Sequence, residues 1–448
     1  MIYSIKRILG IGKVLIDMAL ITKKPRGTED LLPGESYRWQ FLEKLFHEEA
    51  RAFGYREIRT PVFEHTELFE RGVGDTTDVV QKEMYTFVTK GGDSITLRPE
   101  GTAGAARAFL EHGLHNDPLP IKVFYFSSCY RYEKPQAGRL REFHQFGMEC
   151  YGTAHPAADA ELITAASNVF ERLGLRNIRL EINSIGCPQC RAAYHRALTE
   201  YFSHYRDELC EDCRERLSRN PMRLLDCKVP HDHEIAEGAP TVLEYLCDEC
   251  REHFDSVKAY LDANGVAYTV NPTIVRGLDY YTKTVFEFIS GDIGAQSTIC
   301  GGGRYDGLIE ELGGNPMPAL GFAAGLERLL MTLDAQGIEI PAPAPCDIYI
   351  AHMGEDAHKK AGELVNALRK AGLIAEYDVV GRGLKAQMKY ANKIGARFST
   401  VLGDEEIANG TARLKNMSTG EQSEIPTEKE RFVKEFTAVK LADDFKDR

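Results

Sequence analysis

Between Ser127 and Gly152 the chain reads SSCYRYEKPQAGRLREFHQFGMECYG, two strand-like runs around a charged loop that holds Pro135 and Gly138. Side chains alternate across a strand, so Phe143, Gln145, Gly147 and Glu149 share one face and His144, Phe146 and Met148 the other. The first face offers a ring, an amide, a gap and a carboxylate. With no side chain at Gly147, Gln145 and Glu149 are placed to frame a small polar ligand across the sheet. Arg131, Arg139 and Arg141 would give that pocket a cationic rim. An ordinary hairpin with a solvated basic loop has the same composition, so the stretch needs support from elsewhere in the chain.

Four other stretches supply it. Arg276 precedes Gly277 in RGLDYYTKTVFEF and presents a planar, permanently charged donor suited to a carboxylate or phosphate. Cys300-Gly-Gly-Gly-Arg-Tyr-Asp-Gly sets three glycines where backbone passes close to a ligand or another strand. In ALGFAAGLERLL, Leu326, Leu329 and Leu330 share a core-facing side and leave Arg328 to the opposite one. Glu100, in RPEGTAG, begins a helical run; it either complements the helix dipole or serves a site as acceptor.

The elements around these residues follow from pattern. Trp39, Leu42, Leu45, Phe46 and Phe53 recur at helical spacing from Glu35 onward. Arg56 to Phe63 alternates like a strand, with Pro61 tolerable only at an edge. Met84 to Leu97 forms a hairpin around Lys90-Gly-Gly-Asp93. After the Pro- and Ala-rich GIEIPAPAPC, strands and helices alternate in a small α/β domain. Its second helix repeats Lys385, Lys389 and Lys393 every four residues, with Arg382 just before; the stripe is either a phosphate-binding face or a solvated one.

At 448 residues and 43% hydrophobic content, the chain has room for about three globular domains. A formal net charge of −12 excludes holding nucleic acid by bulk charge and leaves only local basic patches for that work. The first residues, MIYSIKRILGIGKVLIDMAL, are basic and apolar but lead to no small-residue cleavage site. They read as an extension ahead of Met18, and Gly10 with Gly12 completes no dinucleotide fingerprint. Eleven cysteines without a secretory signal indicate a reducing compartment. Seven of them lie between Cys187 and Phe254. Cys187-x-x-Cys190 and Cys210-x-x-Cys213, nineteen residues apart, fit a tetrahedral zinc template, with reduced buried thiols as the alternative. No catalytic metal ligand is indicated.

Tyr130-Arg-Tyr-Glu133, the loop, and Arg141-Glu-Phe-His-Gln-Phe-Gly-Met-Glu149 resemble motif 2 of class II aminoacyl-tRNA synthetases. Residues 276–288 resemble the signature of the histidine-specific branch, residues 319–330 resemble motif 3, and the helix, strand and proline of 35–63 resemble motif 1. The resemblance implies an α+β fold: a catalytic domain with a central antiparallel sheet flanked by helices, a mainly helical insertion, and a C-terminal α/β anticodon-binding domain. It divides the chain into an extension (1–18), catalytic parts (19–186 and 263–336), a Cys-rich insertion (187–262), a linker (337–346) and the anticodon domain (347–448).

It further implies ATP-dependent ligation of L-histidine to its tRNA through a histidyl-adenylate, with Mg²⁺, in the cytoplasm, by a homodimer with no membrane association. Histidine would contact Glu100, Gly101, Thr102, Arg131, Gln145, Glu149, Arg276, Tyr280 and Tyr281. Tyr281 and Glu149 would grip the imidazole, and Glu100 and Thr102 the ammonium. ATP would meet Arg131, Arg139, Phe143 and Arg328, with adenine between Phe143 and Arg328. Arg131 and Arg276 would act on the reacting phosphate, and Arg382, Lys385, Lys389 and Lys393 would meet tRNA. A rival reading is the synthetase-like regulatory subunit of ATP phosphoribosyltransferase, which keeps the fold without the chemistry.

Overall fold

The computed structural model describes residues 22–446 except 75, 76, 78, 226, 228, 275, 295, 296, 344 and 345. The N-terminal extension, with Gly10 and Gly12, and part of the expected linker therefore lie outside the described residues. The chain separates into two compact units, divided in sequence between Ile340 and Pro341.

The first unit is built on an eight-stranded sheet. From one edge its strands run Arg56–Glu57, Ile121–Tyr130, Glu142–Tyr151, Ala319–Gly325, Thr298–Arg304, Thr282–Ser290, Ile178–Ser184 and Thr269–Val270. The central pairings are all antiparallel; only the two short edge strands pair parallel. Period-two alternation assigns the faces. Phe124, Phe146, Met148, Phe286, Leu320 and Phe322 point into one apolar core, which helices Ser36–Ala52, Pro156–Arg172, Asp248–Ala263 and Leu326–Ala335 cover. Trp39, Leu42, Leu45 and Phe46 are the buried stripe of the first of these helices, as the spacing requires.

The strand expected over 56–63 is broken: Arg56–Glu57 joins the large sheet and Phe63–His65 a separate three-stranded sheet with Ser94–Leu97 and Tyr85–Val88. Pro61 has no N–H to give a ladder. The buried Arg98 guanidinium takes up the carbonyls left at the break, donating to Thr60 O at 3.0 Å and Pro61 O at 3.2 Å. Helices Pro188–Ser203, Glu211–Arg219, Pro230–Glu237 and Asp248–Ala263 form most of the Cys-rich segment. Its Tyr194, Leu198 and Phe202 share a core with Tyr151 and Val285 of the sheet and with Tyr281 just before a strand.

The second unit is a five-stranded sheet ordered Ala375–Tyr377, Ile348–His352, Phe398–Leu402, Thr411–Asn416, Gln422–Pro426. Its first three strands are parallel, as strand–helix alternation demands. The last two form a hairpin that the alternation did not disclose.

One buried ion pair ties the first unit together. Arg304, fully buried, donates to Asp159 from Nε and Nη2 and to Thr153 O at 2.8 Å. His253 Nε2 lies 3.4 Å from the same carboxylate. Burial opposes the charge on Asp159, but Arg304 and His253 hold its carboxyl below the usual range. Arg304→Ala strands a buried carboxylate, so denaturant unfolding of this unit should show a loss of about 3–5 kcal/mol. Arg304→Met combined with Asp159→Leu should recover most of it, because no unpaired charge then remains.

Candidate active site

A cleft of about 390 Å³ opens on the sheet face opposite the helix-covered core. The long hairpin 121–151 builds one wall. Gln145 and Phe143 line the cleft, while Phe146 and Met148 are buried in the core on the other face, as the alternation requires. Gln145 is cross-strand from Ser127 and from Gly325, so this strand sits between two partners and cannot slip without turning its polar set into the core.

The floor differs from the expectation. The gap over Gly147 is occupied by Tyr125, its cross-strand neighbour: a Cβ at Gly147 would sit 2.3 Å from that ring. Glu149 does not reach the cleft wall. It is completely buried beneath it, where Thr102 Oγ1 at 2.7 Å, Tyr125 Oη at 2.8 Å and Tyr305 Oη meet its carboxyl. These hydroxyls favour the charged form, yet burial, with Glu100 adding to it, pushes Glu149 up to about 8. Gly101 likewise lies under the Tyr125 ring rather than in the cleft.

Above this floor lie Thr102, Tyr280 and Tyr281, with the two tyrosine rings 4.7 Å apart. Glu100 lines the cleft and also caps a helix: its carboxylate accepts from Thr102 N at 2.6 Å and Ala103 N at 2.8 Å, the first free amides of Thr102–Glu111. The helix-start reading of Glu100 is what these two bonds show, and the same carboxyl borders the cleft. Burial raises its pKa, against the pull of those two amides.

Four arginines converge on the same cleft. Arg131 donates from Nε to Pro99 O at 2.9 Å and lies 5.4 Å from the Phe143 ring. Arg139 pairs with Glu133. Arg276 pairs with Glu287 and faces the Tyr281 ring at 5.7 Å; its buried Nε meets no partner among the described residues. A Cβ at Gly301 would fall 2.5 Å from its guanidinium, so one of the three glycines clears space for Arg276 itself. Arg328 reaches across from helix Leu326–Ala335 to Gly138 O at 2.9 Å and Thr298 O at 2.7 Å. Burial, together with Arg131 and Arg139, lowers its pKa to about 10.

Glu287, Glu133, Tyr125 and Tyr305 are parts of this arrangement that the sequence reading gave no role. Glu287 carried a signal, a lone carboxylate between Phe286 and Phe288 in an apolar strand, which needs a cationic partner. In the second unit, Lys385, Lys389 and Lys393 are exposed on helix Leu384–Lys393. Arg382 departs from the stripe: it pairs with Asp378 at 2.8 Å and packs on Tyr390 at 4.5 Å.

The cysteine pairs also rearrange. Cys187 and Cys190 meet Cys247 and Cys250, while Cys210 and Cys213 meet Cys227 and Asp232. The two pairs expected to converge join different clusters, with the 16-residue helix Pro188–Ser203 between them in the chain.

An antiparallel sheet carrying the charged hairpin, the glycine strand and a cleft-facing helix arginine defines a class II aminoacyl-tRNA synthetase catalytic domain, followed here by an anticodon-binding domain matched over residues 347–436. Residues 27–329 match the histidyl-tRNA synthetase family, and the chain belongs to that family. It is 56% identical over 406 residues to a histidine–tRNA ligase of Caldanaerobacter subterraneus subsp. tengcongensis, covering 91% of this chain and 97% of the relative. The Clostridium novyi protein of the same name is 57% identical over 401 residues, covering 90% and 95%. The crystal structure of apo histidyl-tRNA synthetase from S. aureus superposes with a TM-score of 0.79 at 40% identity, covering 93% of this chain and all of that one.

Between the ordinary carboxylate range and about pH 8, the folded chain keeps a proton on Glu149 that the unfolded chain has released. Raising pH through that window therefore removes stability. Thermal unfolding followed from about pH 5 to about pH 8 should show a falling midpoint in the wild type and a flatter profile in Glu149→Gln, which mimics the neutral acid. Parallel profiles would contradict the assignment.

Proposed function

We propose that this chain charges its tRNA with histidine through a histidyl-adenylate. The observation that carries this reading is one cleft lined by Glu100, Thr102, Tyr280 and Tyr281 together with Phe143, Arg139 and Arg328. Arg131 links Pro99 to Phe143, and Arg276 links Tyr281 to Glu287, so both arginines stand where the two groups of residues join. Histidine would occupy the tyrosine end, its ammonium on Glu100 and Thr102 and its ring toward Tyr281 and the hydroxyls around Glu149. ATP would lie toward Phe143 and Arg328.

In the first step the histidine carboxylate attacks the α-phosphorus and pyrophosphate leaves. Arg131 and Arg276 face the negative charge that accumulates there, and donors already fixed in place stabilise it without reorganising. A ribose hydroxyl of the tRNA then attacks the adenylate carbonyl and releases AMP. Mg²⁺ would enter with the ATP phosphates, and Glu133, Glu287 and Glu327 are the cleft oxygens the chain could offer it. A pocket that hydrogen-bonds the imidazole rejects analogues lacking those groups by roughly 10⁴–10⁵-fold.

Identities of 56% and 57% to proteins named as ligases, together with the anticodon-binding domain, favour this reading over the regulatory subunit. Exposed Phe63, Phe87 and Val88 on the three-stranded sheet support a second copy of the chain as partner, since monomers rarely leave such residues uncovered together. No described helix is long and apolar enough to cross a membrane, and we assign the work to the cytoplasm.

Charging of tRNA with labelled histidine tests the activity. Wild type should charge, and Arg276→Ala should fall by roughly 10²–10³-fold. A wild type that binds histidine but charges nothing would return the regulatory subunit. Replacing both Lys385 and Lys389 by Glu should raise KM for tRNA and flatten its salt dependence, with histidine activation unmoved. An unchanged salt slope would make the stripe a solvated face.

A further inference from the structure

All seven cysteines of the helical insertion fall into two clusters, leaving none over. In each cluster the four candidate ligand atoms, one per residue, lie within 4.8 Å of one another. Cys187 Sγ and Cys190 Sγ are 3.5 Å apart, and Cys210 Sγ and Cys227 Sγ 4.0 Å. A tetrahedral zinc with bonds of about 2.3 Å sets its sulfurs about 3.8 Å apart, between these two values; a disulfide would need about 2.05 Å. We propose that the insertion holds two structural zinc ions, one on Cys187, Cys190, Cys247 and Cys250, the other on Cys210, Cys213, Cys227 and Asp232.

The backbone is arranged for thiolates. Cys187, Cys210 and Cys247 each occupy the N-cap of a helix, and Cys190, Cys213 and Cys250 follow one turn in, so every Cys-x-x-Cys pair sits at a positive helix end. Cys247 N donates to Cys190 Sγ at 3.1 Å, a bond from one half of the first cluster to the other. Asp232 accepts from Cys210 N at 3.2 Å, which orients its carboxylate within the second. Gly186 has a φ of +70°, and a Cβ there would come within 2.4 Å of Cys190 Cβ, so the turn into the first cluster is shaped around its cysteine.

Four protein ligands close each sphere, leaving no position for substrate, so the role is structural. The first cluster joins the two ends of the insertion. It also borders the strand that continues residues 276–281: Ile185 N donates to Lys283 O at 2.8 Å, and Lys283 N to Gly186 O at 2.9 Å. The first ion thus fixes the insertion's neck against one wall of the cleft. Soft thiolates select zinc over magnesium or calcium, and Asp232 marks the second site as the more weakly held one.

Full-length chain purified without chelators or metal-affinity steps, then assayed by elemental mass spectrometry, should carry about two zinc ions per chain. Cys250→Ser and Cys227→Ser should each lose one. In the native protein the seven insertion cysteines should resist alkylation until a chelator strips the metal. If a variant fails to fold, zinc K-edge absorption on the wild type decides, the expected shell being sulfur with a minor oxygen share. The proposal is overturned if reduced protein takes up no zinc under anaerobic addition, if iron occupies the sites, or if the shell is nitrogen and oxygen. One ion, lost only in Cys250→Ser, would retain the first site and remove the second.

Discussion

A carboxyl group buried in the middle of an antiparallel sheet sets the rest of the cleft. Glu149 lies under the surface with Thr102, Tyr125 and Tyr305 directed at it. An isolated carboxylate would be very costly there, so the three hydroxyls must stay, and each brings a different part of the chain. Thr102 fixes the start of the helix that Glu100 caps, Tyr125 fixes the neighbouring strand, and Tyr305 fixes the turn after the glycine strand. Gly147 is bare because Tyr125 needs the space to deliver its hydroxyl.

The cationic residues obey a second constraint. Burial, and after it the nearby charges of Arg131 and Arg139, lowers the pKa of Arg328. Carbonyls of Pro99, Gly138 and Thr298, and the carboxylates of Glu133 and Glu287, hold these side chains and Arg276 in place without neutralising the whole set. A polyphosphate entering such a site meets charge already oriented, which is how a fold accelerates phosphoryl chemistry without a covalent nucleophile.

Periodicity made much of this legible. The helix 36–52, the long hairpin and the division between Phe143 with Gln145 and Phe146 with Met148 all follow from spacings of 3.6 or 2. What stayed hidden depends on contacts between strands or helices distant in sequence. Tyr125 fills the gap at Gly147 only because of register, and Tyr305 reaches Glu149 from 156 residues away. The cysteine pairing failed for a simple geometric reason: an intervening helix carries nearby pairs apart. The hairpin 411–426 was missed because its alternation is short: Ala412 and Leu414 alternate with polar residues in the first strand, but Gln422–Pro426 has only Ile425 and a proline to answer them.

The buried Glu149 network is expected to shape the end of the cleft proposed for histidine and to leave the end proposed for ATP alone. The direct measurement is histidine-dependent exchange of labelled pyrophosphate into ATP, without tRNA, in wild type and Tyr305→Phe. Wild-type exchange should require histidine, and the variant should show a raised KM for histidine with KM for ATP unmoved. Exchange that ignores histidine, or a variant that shifts KM for ATP while keeping that for histidine, would contradict it.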